Sequence, residues 1–211
     1  MSTVDQSASN GNIPSEIVIA IDFSITSPGV AVWNKHGITV FALSEKVKVE
    51  TSFELLGIRL ILYPDCNKSS TSKVKRYLAK ADNLVRHILK HAGETDAPNP
   101  RRWFVEGMAM QACGAVLDIS EALGMFEHEL ARVYPGAELE KLAPSTVKKQ
   151  FCGRGNAKKV EMTEFAMTDL LFGPALAGLN VVCGGKLKPD ASPMTDLVDA
   201  YALLRINLTT I

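Results

Sequence analysis

The chain has 211 residues and a mass of 22.9 kDa, the size of one compact domain with a single core. Hydrophobic residues at 46% and charged residues at 22% exclude a mostly disordered or fibrous protein. The longest apolar runs, around Ile17 to Ile21 and Val30 to Trp33, fall far short of the ~18 residues that suggest a membrane-spanning helix. Lys and Arg (23) balance Asp and Glu (23), but unevenly along the chain. Residues 68–91 hold seven basic residues against one acid, Asp82, and residues 141–160 hold six against none. Two basic segments on a neutral chain read either as a polyanion footprint or as solvated helix faces.

Residues 1–15, rich in Ser and Asn, carry no secretory or transit pattern and are expected to form a flexible tail ahead of one domain over 16–211. Glu16 to Ser24 is β-branched and apolar until Asp22, the pattern of a strand buried on both faces, and Ser27 to Gly29 supplies a turn. Gly29 to Asn34 and Ile38 to Ser44 then predict two further strands of an antiparallel meander. For residues 45–67 the periodicity leaves helix and strand open. From Thr71, apolar residues recur at three- and four-residue spacing with Lys and Arg between them, predicting a helix that Gly93 ends.

Trp103 to Gly107 reads as a short buried strand ending in a glutamate, and residues 114–134 as a helix with an apolar stripe at Ala115, Ile119, Ala122, Leu123, Phe126 and Leu130. Glu138 to Leu142 predicts one more strand, Pro144 starts a short helix, and Ala157 to Leu171 forms another. The Gly/Pro-rich stretch from Gly173 to Pro193 is expected to be a loop, and Pro193 to Asn207 the last helix. The elements predict an α/β domain with a mixed five-stranded sheet that opens with an antiparallel meander and is flanked by helices.

The four cysteines, Cys66, Cys113, Cys152 and Cys183, form no CxxC pair, so they indicate neither a zinc site nor a disulfide framework and fit reduced thiols in the cytoplasm. His87 and His91 share a helix face at four-residue spacing but sit in a basic helix, and a solvated face is the expectation. Trp33 and Trp103 adjoin strand cores and read as packing residues.

Four acids occupy unusual places. Asp22 interrupts the first strand, where a carboxylate must be paired, hydrogen-bonded or bound to a cation. Glu106 ends a later strand, and Asp196 and Asp199 lie three apart on a mainly apolar helix, so both project from nearly one face. Singly, each has a structural explanation as a turn or helix-end residue. Together they suggest an oxygen-rich site of the kind that Mg²⁺ or Mn²⁺ prefers. Phosphodiester hydrolysis uses such sets, because two ions ~3.5 to 4 Å apart stabilise both the attacking and the leaving oxygen.

The blocks IAIDFSITSPGVAVWN, WFVEGM, PSTVKKQFCGRGNAKKVEM and MTDLVDAYALL, in this order, resemble the RuvC-type Holliday junction resolvases of the retroviral-integrase and RNase H-like superfamily, over roughly Ile17 to Leu204. The resemblance implies an RNase H-like fold, with Asp22, Glu106, Asp196 and Asp199 as catalytic carboxylates holding two Mg²⁺ or Mn²⁺ ions. Lys148, Arg154 and Lys159 fall on basic positions that the family uses near DNA; with Lys149 and Lys158 they are the DNA-binding candidates. Gly153 and Gly155 beside Arg154 would let backbone amides approach a phosphate closely. Family members act as homodimers on four-way DNA junctions in recombination and repair, and the stripe from Gly114 to Tyr134 offers either a dimer helix or ordinary core packing.

Where resolvases commonly carry an aromatic after the strand glutamate, this chain reads GMAMQ; Met108 and Met110 are candidates for an apolar wedge at DNA, or for core. Other readings stay open: a less selective nuclease for branched or flapped DNA or for RNA, a noncatalytic DNA-binding protein of the same fold, and a nucleotide-binding protein like the actin and sugar-kinase group, whose phosphate hairpin AIDFSITSPGVAV also resembles. The last needs a second Gly-rich hairpin, and none is apparent in the sequence.

Overall fold

The computed structural model describes residues 16–65, 72–92, 101–107 and 116–208. The expected tail over 1–15, Cys66, Cys113, Met108 and Met110 lie outside the described residues.

Seven strands form one sheet: β1 (Ile17–Asp22), β2 (Gly29–Asn34), β3 (Gly37–Ser44), β4 (Thr51–Leu55), β5 (Ile58–Pro64), β6 (Arg101–Glu106) and β7 (Leu139–Leu142). Their spatial order is β4-β5-β3-β2-β1-β6-β7. The meander β1-β2-β3 is antiparallel, while β6 pairs parallel to β1, β7 parallel to β6, and β5 parallel to β3. Strands β3, β2, β1, β6 and β7 are the expected five.

The count of five is corrected to seven by residues 51–64, which add an antiparallel hairpin on the outer edge of β3. The hairpin turns on two residues, Leu56 at φ 53° and Gly57 at φ 76°. Two consecutive positive φ values are the signature of the tight turn that matches strand twist, and Asn-Gly or Asp-Gly is its usual sequence. Leucine at the first position hid it.

Helices α1 (Lys73–Ala92) and α2 (Val116–Val133) cover one face of the sheet; α3 (Pro144–Cys152), α4 (Lys159–Thr168), α5 (Phe172–Val182) and α6 (Met194–Leu208) build the other. Strand β1 is buried on both sides: Ile17, Ile19 and Ile21 pack toward α1 and α2, Val18 and Ala20 toward α6. Its near-continuous apolar run is what such two-sided burial requires.

Three further expectations change. Helix α5 lies in the segment read as loop. Asp169 Oδ1 accepts the backbone N–H groups of Leu171 and Phe172 at 2.9 Å each and so caps its start, and Pro174 falls in the first turn, where no intrahelical donor is lost. A Cβ at Gly178 would stand 2.2 Å from the Phe53 ring, so the glycine lets α5 pack close on β4. Of the apolar stripe of α2, Ala122, Leu123, Phe126 and Leu130 are buried inside the molecule, which fits its packing alternative.

His87 and His91 are half-buried, not solvated. The His87 ring lies 4.2 Å from that of Tyr63, and His91 Nε2 is 3.0 Å from the Tyr63 hydroxyl. Burial, with Lys90 and Arg59 adding to it, pushes His91 down to about 4. Trp103 is buried against Tyr134, as a packing residue should be. Among the described residues no single helix is long and apolar enough to cross a membrane.

Candidate active site

Strand register brings the first two acids together. Ala20 pairs with Phe104 and Ile21 with Val105, so the next step along the parallel ladder sets Asp22 beside Glu106. Side chains alternate along a strand. Asp22 therefore shares the face of Val18 and Ala20, and Glu106 that of Phe104, and all three of those apolar residues pack toward α6.

Helix α6 supplies the other two. Its first turn rests on β2 at Gly29, where a Cβ would meet the Asp196 carbonyl oxygen at 2.1 Å; only glycine admits the helix this close. Gly29 is also the partner of Asp22 in the β1–β2 ladder, so the same contact brings Asp196 to the end of β1. Asp199 follows one turn later. All four carboxylates line one cavity of about 320 Å³, together with Lys148 of α3 and Lys159 of α4.

The electrostatics match the crowding. Burial raises the Asp22 carboxyl well above its ordinary value, and the adjoining Glu106 and Asp196 raise it further. Two buried carboxyls side by side resist ionising together, because each charge raises the cost of the other. Glu106 is itself raised, chiefly by burial. Asp199 is pushed up to about 7, by burial first and then by the charges of Asp22 and Asp196, with Lys159 and Lys148 opposing.

By the chemistry of its donors, an all-carboxylate set fits a hard divalent cation: the donors are oxygens, and a cation would relieve the repulsion among them. Among the described residues, no group of three His, Cys, Asp or Glu side chains stands close enough together to hold a metal ion as they are placed.

Of the basic candidates, Lys148 and Lys159 line the cavity. Lys149 is exposed on a shallow depression with Ser145, Thr146, Gln150 and Gly155. Arg154 and Lys158 are exposed on the connection between α3 and α4, and both are tied to Glu161, Arg154 by an ion pair at 3.0 Å and Lys158 through its backbone N–H at 2.7 Å. Gly153 caps α3 at φ 82°, its N–H donating to the Lys149 carbonyl, so its freedom serves the helix end.

Three of the seven basic residues of segment 68–91 meet acids on the spot. Lys73 pairs with Asp118 and Glu121, Lys80 with Asp65 and Glu45, and Arg86 with Asp82. Sequence reasoning did not find Ser27, whose hydroxyl donates to Asp196 Oδ2 at 2.6 Å. No local pattern marks it, since the two residues are 169 positions apart.

Among solved structures the chain resembles the yeast mitochondrial Holliday junction resolvase Ydc2, with a TM-score of 0.51 and 13% identity over 92% of this chain and 78% of that one. The fold is that of the RuvC-type, RNase H-like resolvases. Thermus thermophilus RuvC also matches, alone at TM-score 0.47 and 16% identity, over 92% of this chain and 96% of that one. In complex with Holliday junction substrate it matches at TM-score 0.48 and 15% identity, over 92% and 95%. No protein-family model and no curated protein sequence matches the chain. The ends of β1 and β6 carry the cavity, and the β4–β5 hairpin lies at the far edge of the sheet.

Proposed function

We propose that the chain is a divalent-cation-dependent endonuclease for branched DNA, acting as a Holliday junction resolvase in recombination or repair. The observation that carries this reading is the convergence of Asp22, Glu106, Asp196 and Asp199 on one cavity that also holds Lys148 and Lys159. Its fold, shared with a Holliday junction resolvase, supports four-way DNA as the substrate.

Asp22, Glu106, Asp196 and Asp199 would hold Mg²⁺ or Mn²⁺, two ions in all. Bound there, such ions supply an activated water and neutralise the charge that develops on the phosphoryl and leaving oxygens. The chain's own part is to prepare the site. Burial raises the Asp22, Glu106 and Asp199 carboxyls, and a cation bound among them would favour their ionised, ligating forms. Lys148 and Lys159 draw the phosphodiester toward the acids, and the exposed Lys149, Arg154 and Lys158 extend the contact along the backbone. Attack of water in line leaves a 5′ phosphate and a 3′ hydroxyl. One cavity per chain cuts one strand, so a homodimer is needed to nick two strands of a junction together.

The test offers purified protein four-way, flap, duplex and RNA substrates with and without Mg²⁺. Paired, ligatable nicks in the four-way junction that require Mg²⁺ are expected. Equal cutting of linear duplex would reduce the reading to a general nuclease, and absence of any cutting would end it.

A further inference from the structure

We propose that Ser27 is a positioning residue for Asp196, and that Lys80 anchors the loop that presents it; this rests on the cation-binding reading of the cavity. Ser27 is 3% exposed, and its hydroxyl donates to Asp196 Oδ2 at 2.6 Å. A serine has one proton to give, and here it is committed to a carboxylate in a short, charge-assisted bond. Asp196 Oδ1 has only a 3.5 Å contact from the Thr195 hydroxyl. Oδ2 is thus the fixed oxygen of the carboxylate, and Oδ1 keeps its lone pairs for a ligand.

The loop that carries Ser27 runs from Asp22 to Gly29 and is held at two points. Ser24 Oγ accepts the N–H groups of Thr26 and Ser27 at 3.3 Å each. From α1, the Lys80 ammonium donates to the Ile25 carbonyl at 2.6 Å, and it reaches Asp65 at 3.0 Å and Glu45 at 3.4 Å. An ammonium has three donors, and these acceptors match them. Lys80 thereby locks the loop to the carboxyl ends of β3 and β5, two residues from Ser27 and three from Asp22. A hydroxyl that orients a metal-ligating carboxylate typically changes metal affinity by ~10- to 100-fold when removed.

The test measures Mn²⁺ binding to the full chain by titration calorimetry in the absence of DNA, for the parent, S27A, the near-isosteric S27C, D196A and S27A/D196A. S27A and S27C are expected to bind Mn²⁺ ~10-fold more weakly while melting within a few degrees of the parent. The S27A defect should vanish in the D196A background, where no carboxylate is left to orient; a purely structural serine would cost the same in both. K80Q should speed amide hydrogen exchange over residues 24–28 and weaken Mn²⁺ binding, with K80R restoring both. If S27A fails to fold, S27C carries the comparison. Parent-like Mn²⁺ affinity in the serine variants, or an equal loss in the D196A background, overturns the proposal. A parent that takes up no Mn²⁺ overturns the cation-binding reading itself, and this inference with it.

Discussion

Around α1, the Lys80 ammonium meets Asp65 and Glu45, and Lys73 meets Asp118 and Glu121, whereas on the α6 side Asp22, Glu106, Asp196 and Asp199 crowd one another with only Lys148 and Lys159 nearby. In the first region Lys73 and Lys80 each meet two acids, an arrangement that stability alone explains. In the second, like charges share a half-buried cavity and the carboxyls of Asp22, Glu106 and Asp199 are raised, an arrangement that costs stability and is kept where chemistry needs it. Charge content misleads here. The basic segment 68–91 is conspicuous in the sequence, yet Lys73, Lys80 and Arg86 are taken up in ion pairs, while the four acids are scattered in the sequence and concentrated in space.

The sharpest way to break this contrast is Asp22→Asn. It should lower Mg²⁺-dependent junction cleavage by more than ~1000-fold, about 4 kcal/mol of transition-state stabilisation, with junction binding by gel shift largely kept. Normal cleavage would place the chemistry elsewhere. Next in size are the paired lysines around α1. Lys80→Met should destabilise the fold by about 3 kcal/mol in urea unfolding, because the Asp65 side chain it meets is 3% exposed, and Lys73→Ala by less than ~1 kcal/mol, because its partners are exposed. Equal losses would show that burial does not separate the two pairs.

Asp199→Asn tests the cost of the crowded acids. The folded-state value of Asp199, about 7, lies above its ordinary 3.8, so stability is full below pH 3.8 and is lost as pH rises through about 7. In EDTA the variant should therefore be more stable than the parent at pH 8, by about 2 to 4 kcal/mol, and no more stable at pH 3.5. Thermal unfolding at the two pH values checks the sign. The smallest effect belongs to Lys148→Ala with Lys159→Ala. The double variant should bind junctions more weakly, most of all at low salt, and reduce the slope of log K against log salt by about 1.8, since each lost phosphate contact removes about 0.9. An unchanged slope would leave these lysines serving the acids alone.

Much of this was legible in advance. The apolar run of Ile17–Asp22, broken only at Asp22, and the glutamate closing Arg101–Glu106 put two carboxylates at strand ends, and the spacing of Asp196 and Asp199 put two more on one helix face. Pro144 and Gly153 marked the ends of α3. The β4–β5 hairpin escaped because its turn uses Leu56 where Asn or Asp is the usual signal, and α5 because its glycines and proline suggested a loop. Gly178 is there for the Phe53 ring, a neighbour far away in the chain.

The order of residues alone determined the periodicities, the helix ends and the presence of four acids in apolar surroundings, because these depend on neighbours within a few positions. Only the packed molecule decided that β6 joins β1 in the register that sets Glu106 beside Asp22, that α6 descends onto Gly29, and that Ser27 reaches Asp196. Those contacts are selected by how helices and sheet fit together, and a carboxylate's protonation follows from the charges that the fit leaves around it.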